Sequence, residues 1–316
     1  MDYPDRLSQK HYDILLTSID RRECAIFIGA GISIPIGYPS LQGLLKEMAK
    51  EANIAELQEK ELDQDWMKDF LSIKKALGSE RYQEYLRGIF DHTKRDVKFN
   101  PILLDILSIP FCAFVTTNYD QCLEFATKKL PNPAIKYCYP YPNLPTSDLK
   151  GHHIFHPHGY IDPNNPNSIN SIILSDDEFA DAYEITSNFF TTLFLELDIL
   201  FIGFGWNDMV ILDIIEKTTQ TRKNREGTLA KKNLQMSREK NKFALIDNDT
   251  YQKDTTKGNY ITKLGILPIV YKKTGGSHDP LNQIIEKIQM SISKTPVATI
   301  PALPEGFFEP LGGYNG

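Results

Sequence analysis

Six short, β-rich apolar runs recur along the 316-residue chain: CAIFIG (24–29), CAFVTTN (112–118), HHIFHPHG (152–159), DILFIGFG (198–205), KFALIDN (242–248) and GILPIVY (265–271). They are nearly continuous in apolar residues rather than alternating, so both faces of the sheet they build must be covered. Parallel strands joined by crossover helices cover a sheet in that way, and helix-compatible sequence follows most of the runs. The expected fold class is therefore α/β, a Rossmann-like doubly wound parallel sheet.

More than eighty residues separate the first two runs, far beyond the needs of one crossover helix. Within them IAELQEKELDQDWMKDFLSIKKAL and ERYQEYLRGIF carry apolar residues at helical spacing, which predicts a helical insertion over about 53–100, a lid or second lobe. Residues 176–197 open on carboxylates suited to a helix N-terminus and carry Phe179, Tyr183, Phe189 and Phe190, the pattern of a long packed helix. Between 217 and 240 eight Lys or Arg stand against two Glu with few large apolar residues, and a solvated, mobile excursion is expected. The organisation predicted is one domain over 1–293 and a Pro/Gly-rich linker or docking arm over 294–316.

Charge and cysteine usage exclude several classes. A net charge of −6 offers no basic face to nucleic-acid phosphates, so direct nucleic-acid binding is not expected. The first residues lack the apolar core of a signal peptide, and the most apolar run, TLFLELDILFIGFGW, is broken by Glu196 and Asp198; neither secretion nor a membrane span is expected. Four cysteines without a CxxC pair spell out neither a disulfide framework nor a four-cysteine zinc site, and the expected compartment is the cytoplasm.

The first run leads into GAGIS (29–33) and then, after IPIGYPS, into the amphipathic LQGLLKEMAK. A glycine turn between a buried strand and a helix lets backbone N–H groups approach a pyrophosphate, but it equally serves any tight turn. The full GxGxxG fingerprint is absent, since Ile34 stands where its third glycine would be. Three further strand ends carry polar or glycine residues: TTNYD (116–120), HPHG (156–159) and GFGWND (203–208). Open α/β sheets bind ligands at the carboxyl ends of their strands, so four ends would converge on one crevice. Asn118-Tyr119-Asp120 can also serve as an Asx-type helix cap, and capping and catalysis can coexist. The HxH pair formed by His156 and His158 raises a metal site, for which no cysteine or third histidine partner is evident. His156 is taken as structural, as are His152 and His153.

In this order the motifs resemble the sirtuin superfamily, in particular the SIR2-like branch of bacterial antiphage defence proteins. GAGIS is similar to the family's phosphate-binding loop, TTNYD to its (T/S)QN(I/V)D motif with Thr117 in place of Gln, and His158-Gly159 to its catalytic His-Gly. GFGWND stands where sirtuins have GTS and SIR2-like proteins often a GYSxxD type of sequence, and ALID (244–247) resembles the late strand that meets the adenosine half of the cofactor. The likeness covers about residues 20 to 272. After the His-Gly, where protein deacylases carry paired CxxC motifs, this chain has YIDPNNPNSINSIILSDDEF without a cysteine, and IPIGYPS replaces the Arg-containing GIPDFR-like segment.

The resemblance implies binding of NAD and cleavage of its nicotinamide–ribose bond. Without the zinc module water is the expected acceptor, so the implied reaction is NAD hydrolysis to nicotinamide and ADP-ribose. The setting it implies is an NAD-depleting effector of antiphage defence, held in check by a partner protein, an additional domain or homo-oligomeric assembly. Asn118 and His158 are the implied catalytic residues, His158 as general base or ribose-hydroxyl partner and Asn118 positioning water and ribose. Gly29, Ala30, Gly31, Ile32, Ser33, Thr117, Asp120, Gly203, Phe204, Gly205 and Asp247 are the implied cofactor-binding set, Asp247 accepting from the adenosine ribose; no metal is expected. A non-catalytic nucleotide-binding module is the alternative, and a deacylase or ADP-ribosyltransferase the third reading.

Overall fold

Each apolar run becomes a strand, because β-branched and aromatic side chains covered on both faces leave the backbone no other way to satisfy its polar groups. The computed structural model describes residues 6–94, 98–131, 135–206, 208–230, 240–256, 260–273 and 279–292; the expected tail over 294–316 lies outside them. The chain begins with α1 (Arg6–Asp20), β1 (Cys24–Ile28), α2 (Leu41–Glu51), α3 (Ala55–Gln58), α4 (Trp66–Leu77), α5 (Ser79–Phe90) and α6 (Ile102–Ser108). It continues with β2 (Ala113–Thr116), α7 (Cys122–Lys129), β3 (Cys138–Pro140), β4 (His153–His156), α8 (Asp176–Glu196), β5 (Asp198–Ile202) and α9 (Met209–Ala230). The last elements are β6 (Lys242–Asp247), α10 (Asn248–Thr256), α11 (Tyr260–Lys263), β7 (Ile266–Tyr271) and α12 (Asp279–Ile292).

The seven strands form one sheet in the order β3-β4-β2-β1-β5-β6-β7, and every pairing is parallel. Strand order runs outward from β1 through β2 on one side and through β5 on the other, and this reversal of order makes the carboxyl end of β1 a topological switch point. Alternate residues of each strand feed two cores. Ile26, Ile28, Phe114, Leu200 and Ile269 pack with the buried faces of α1, α6 and α12. Phe27, Val115, Phe155, Phe201 and Val270 pack with Phe189, Phe190 and Leu193 of α8 and Ile211 and Ile215 of α9.

A third cluster stands above the sheet edge. Leu44, Leu45 and Met48 of α2, Trp66, Phe70 and Ile73 of α4 and Tyr82, Leu86 and Phe90 of α5 pack with Tyr119, Ile173 and Phe179. Helices α4 and α8 are also tied by charge, since Lys74 Nζ lies 2.8 Å from both Asp177 and Glu178. Glu178 in turn accepts at 2.9 Å from the Ser175 backbone N–H and so caps α8.

Three sequence expectations are corrected. β3 is a strand that no apolar run announces: it has three half-buried residues and takes its place from pairing with β4. Tyr183 does not join the packed face of α8 but stays 47% exposed, while Phe179, Phe189 and Phe190 are buried. Over 217–230 the basic stretch is not an excursion, because α9 runs on to Ala230. Buried Ile211, Ile214, Ile215 and Thr218 anchor that helix, and pairs one turn apart extend it, Lys217 with Asp213 at 2.5 Å and Gln220 with Glu216 at 3.0 Å. Residues 231–239 of that stretch lie outside the described residues. Among the described residues no helix is long and apolar enough to cross a membrane.

Candidate active site

The last residues of β1, β2 and β5 lie side by side, Ile28 paired with both Thr116 and Ile202, so the segments after them start level at one edge. Two of those segments lock together through backbone. Gly29 N–H donates to Ile202 O at 2.8 Å and Gly31 N–H to Gly203 O at 2.9 Å, with Gly203 in the left-handed region at φ 60°. A Cβ on Gly29 would overlap the Gly203 carbonyl. The glycines permit a tight backbone contact, and they also line a cavity. Two short 3-10 turns, Ala30–Ile32 and Ile34–Ile36, carry the chain on to α2, which Ser40 caps by accepting from Gly43 N–H at 3.0 Å. Ser40, Leu41 and Gln42 line the same cavity, so the positive end of α2 opens on it.

After β2 the hydroxyl of Thr116 donates to Ile28 O at 2.8 Å and accepts from Asn118 N–H at 3.1 Å. This pins Asn118, whose Nδ2 donates to Ser33 Oγ at 3.2 Å, linking the second strand end to the glycine loop. Asp120 is buried and accepts from Cys122 N–H at 3.0 Å, an Asx turn that leads into α7. Burial pushes its carboxyl above the usual range, against the Cys122 and Ser33 hydrogen bonds.

Beyond β4, His158 is 4% exposed and set between Phe179 and Phe190, ring centroids 5.1 and 6.3 Å away. Burial lowers its pKa, and the Asp208 carboxylate, with Oδ2 3.7 Å from Nε2, opposes that shift. The turn beyond it needs glycine, because Gly159 has φ 73° and any Cβ would overlap Ser171 O. Asp208 carried no role in the sequence expectation, although the GFGWND motif contains it. Its Oδ1 accepts from Ile211 N–H at 3.1 Å, so the start of α9 holds the carboxylate in place.

These ends enclose a cavity of about 320 Å³ at the switch point. Gly29, Ala30, Gly31, Ser33, Thr117, Asn118, Asp120, His158, Gly203, Phe204 and Gly205 all line it. Trp206 and Asp208 join them from the β5 loop, Trp66 and Phe90 from α4 and α5 above, and Leu62 from the loop before α4. Two expected residues do not line it. Ile32 is buried in the sheet core. Asp247 instead accepts from Thr250 N–H at 3.1 Å and Thr250 Oγ1 at 2.7 Å and pairs with Lys273 at 3.3 Å. Burial alone would raise its carboxyl, but these partners hold it below the usual range.

Among the described residues one group could hold a metal ion: Glu124, Cys138 and His156 each bring a donor atom within 4.8 Å of the others. The cysteine partner that the sequence did not reveal is Cys138, on the strand paired with β4. None of the three lines the cavity.

A SIR2-like domain model matches residues 112–269, which is half of the chain and takes in Asn118, His158 and Asp208. The chain is 25% identical over 206 residues to the NAD(+) hydrolase ThsA of Enterococcus faecium, an overlap of 60% of this chain and 39% of that protein. It is 28% identical over 123 residues to the NAD(+) hydrolase ThsA of Cytobacillus dafuensis, 38% of this chain and 23% of that protein. The chain therefore spans well under half the length of either relative. The all-parallel doubly wound sheet, the cavity at its switch point and the matched span together establish that this chain belongs to the SIR2-like domain family.

Proposed function

We propose that the cavity binds NAD and hydrolyses its nicotinamide–ribose bond. The observation that carries this reading is the meeting of Asn118 and a buried His158 in one cavity with the glycine loop. The positive end of α2 and the backbone of residues 29–33 suit the pyrophosphate, and the aromatic Phe204 and Trp206 suit a base. As the C1′–nitrogen bond breaks, nicotinamide leaves as a neutral molecule and the ribose develops oxocarbenium character. Water bonds to C1′ and gives up one proton, so that NAD and water yield nicotinamide, ADP-ribose and a proton. Burial keeps His158 unprotonated at neutral pH, with a lone pair to take that proton or to hold a ribose hydroxyl. Asn118, fixed through Ser33, presents its amide oxygen to the water without neutralising the developing cation.

The two NAD(+) hydrolase relatives support the substrate and the reaction, and the family resemblance supports the role of an NAD-depleting effector of antiphage defence. Such an activity calls for restraint in the resting cell, by a partner protein, a further domain or assembly. The organisation proposed is one catalytic domain over 1–293, with 294–316 as linker or docking arm. Purified protein is to be incubated with NAD, alone and with any partner, and nicotinamide and ADP-ribose followed by chromatography. Turnover that His158→Ala and Asn118→Ala both abolish is the expected result. Saturable NAD binding without turnover under every condition would establish the non-catalytic module instead.

A further inference from the structure

His156 and Glu124 lie outside the cavity, yet they stand directly behind the segment that carries Asn118. The His156 side chain is fully buried. Its Nε2 lies 2.7 Å from Glu124 Oε1, and its Nδ1 lies 3.4 Å from the backbone carbonyl oxygen of Asn118. A carbonyl oxygen can only accept, so Nδ1 is the donor in that contact and Nε2 is left to the Glu124 carboxyl group. At 2.7 Å the contact with Glu124 is a short hydrogen bond that fixes the ring's orientation. Burial by itself would raise the Glu124 carboxyl, but the His156 imidazole, together with hydrogen bonds from the Glu124 backbone and Cys138, brings it below the usual range. The rest of the surroundings fit the same arrangement. Tyr160 packs on the imidazole at 4.6 Å, and Cys138 Sγ, 3.5 Å from Glu124 Oε1, donates to the same oxygen.

We propose that His156, clamped by Glu124, is a positioning residue that grips the Asn118 carbonyl and so fixes the amide side chain of Asn118 in the cavity. This rests on the reading of Asn118 as a residue acting on NAD. Three anchors then hold Asn118: Thr116 at its N–H, Ser33 at its side chain and His156 at its carbonyl. The first two come from the strand end and the glycine loop, and the third ties the segment to α7 and β4.

The test uses the full chain labelled with ¹⁵N-histidine. Nuclear magnetic resonance is expected to show the His156 Nδ1–H hydrogen-bonded in the wild type, and Glu124→Ala should weaken that bond. Glu124→Gln keeps the geometry, because its amide can donate to Nε2 while Nδ1–H still reaches Asn118. In NAD turnover His156→Ala and Glu124→Ala should each lower kcat by about tenfold to a hundredfold with little change in KM, the cost of a small misplacement at a distance from the chemistry. Glu124→Gln should stay close to wild type.

A wild-type His156 without a proton on Nδ1 would overturn the proposal, as would unchanged kcat in a folded His156→Ala protein. Stoichiometric zinc in the purified protein, lost on Cys138→Ser, would also overturn it by making the trio a metal site. If no preparation turns over NAD, the hydrolase reading fails by itself. The ring-nitrogen signals and the Asn118 side-chain amide resonances still decide the clamp, since His156→Ala must shift the latter.

Discussion

His158 has an environment arranged in opposition: two phenylalanines that disfavour its charge and one carboxylate that favours it. In the proposed role of positioned base it would be worth about a hundredfold to ten-thousandfold in rate, which is the loss expected for His158→Ala by chromatographic assay of NAD turnover. Asp208→Asn removes a carboxylate that raises the His158 pKa, so the ring should hold its proton less tightly still. The acid limb of the kcat/KM profile should accordingly move to lower pH; a limb that stays in place would show that Asp208 does not face the titrating group in solution. Asn118 and His158 were legible as candidates through the ordered strand-end motifs that carry the family resemblance, while the residues alone left a helix cap and a structural histidine open. Asp208 was quoted within its motif without a role, since nothing in a one-dimensional pattern reveals that it crosses from one strand end to the histidine of another. Asp247 shows the converse. Its place at a strand end suggested a ribose, and a lysine and a threonine from neighbouring segments engage it instead.

Among the elements, the two glycine loops work as one. Backbone hydrogen bonds from Gly29 and Gly31 to the β5 end leave no space for a side chain, so Gly29→Ala should force β1 and β5 apart at the cavity. The expected outcome is a drop in melting temperature together with lost NAD affinity, read by calorimetry; a variant that melts normally and binds NAD would show that the loops are pliant. Strands buried on both faces were legible because each is an unbroken apolar run. β3 was not, since three half-buried residues carry no periodic signal and the strand exists through its pairing with β4. The basic run after 217 shows how charge can mislead. Its composition suggests a loop, but the buried first half of α9 propagates helix through residues that would not start one.

For the whole molecule, two sheet-flanking cores carry the stability. Phe201, 1% exposed, contacts the rings of Phe27, Phe194, Phe204 and Trp206. Phe201→Ala should cost about 3–5 kcal/mol, measured as a shift in the urea midpoint. Stability should also depend on pH through the histidines. His92, His152, His153 and His158 all have lowered pKa values, burial being the main cause in each. Below their ordinary value of 6.5 the unfolded chain takes up protons that the folded chain still refuses, so stability should fall as pH drops through that value and level off above it. Urea midpoints measured on either side of it check the sign. The β5 loop and the helical roof share one further property. The chain has two tryptophans, Trp66 in the roof and Trp206 in the loop, and both line the cavity. Both indoles therefore stand on the walls of the site, so tryptophan emission, excited selectively over tyrosine, should register an occupant's arrival and departure without any label.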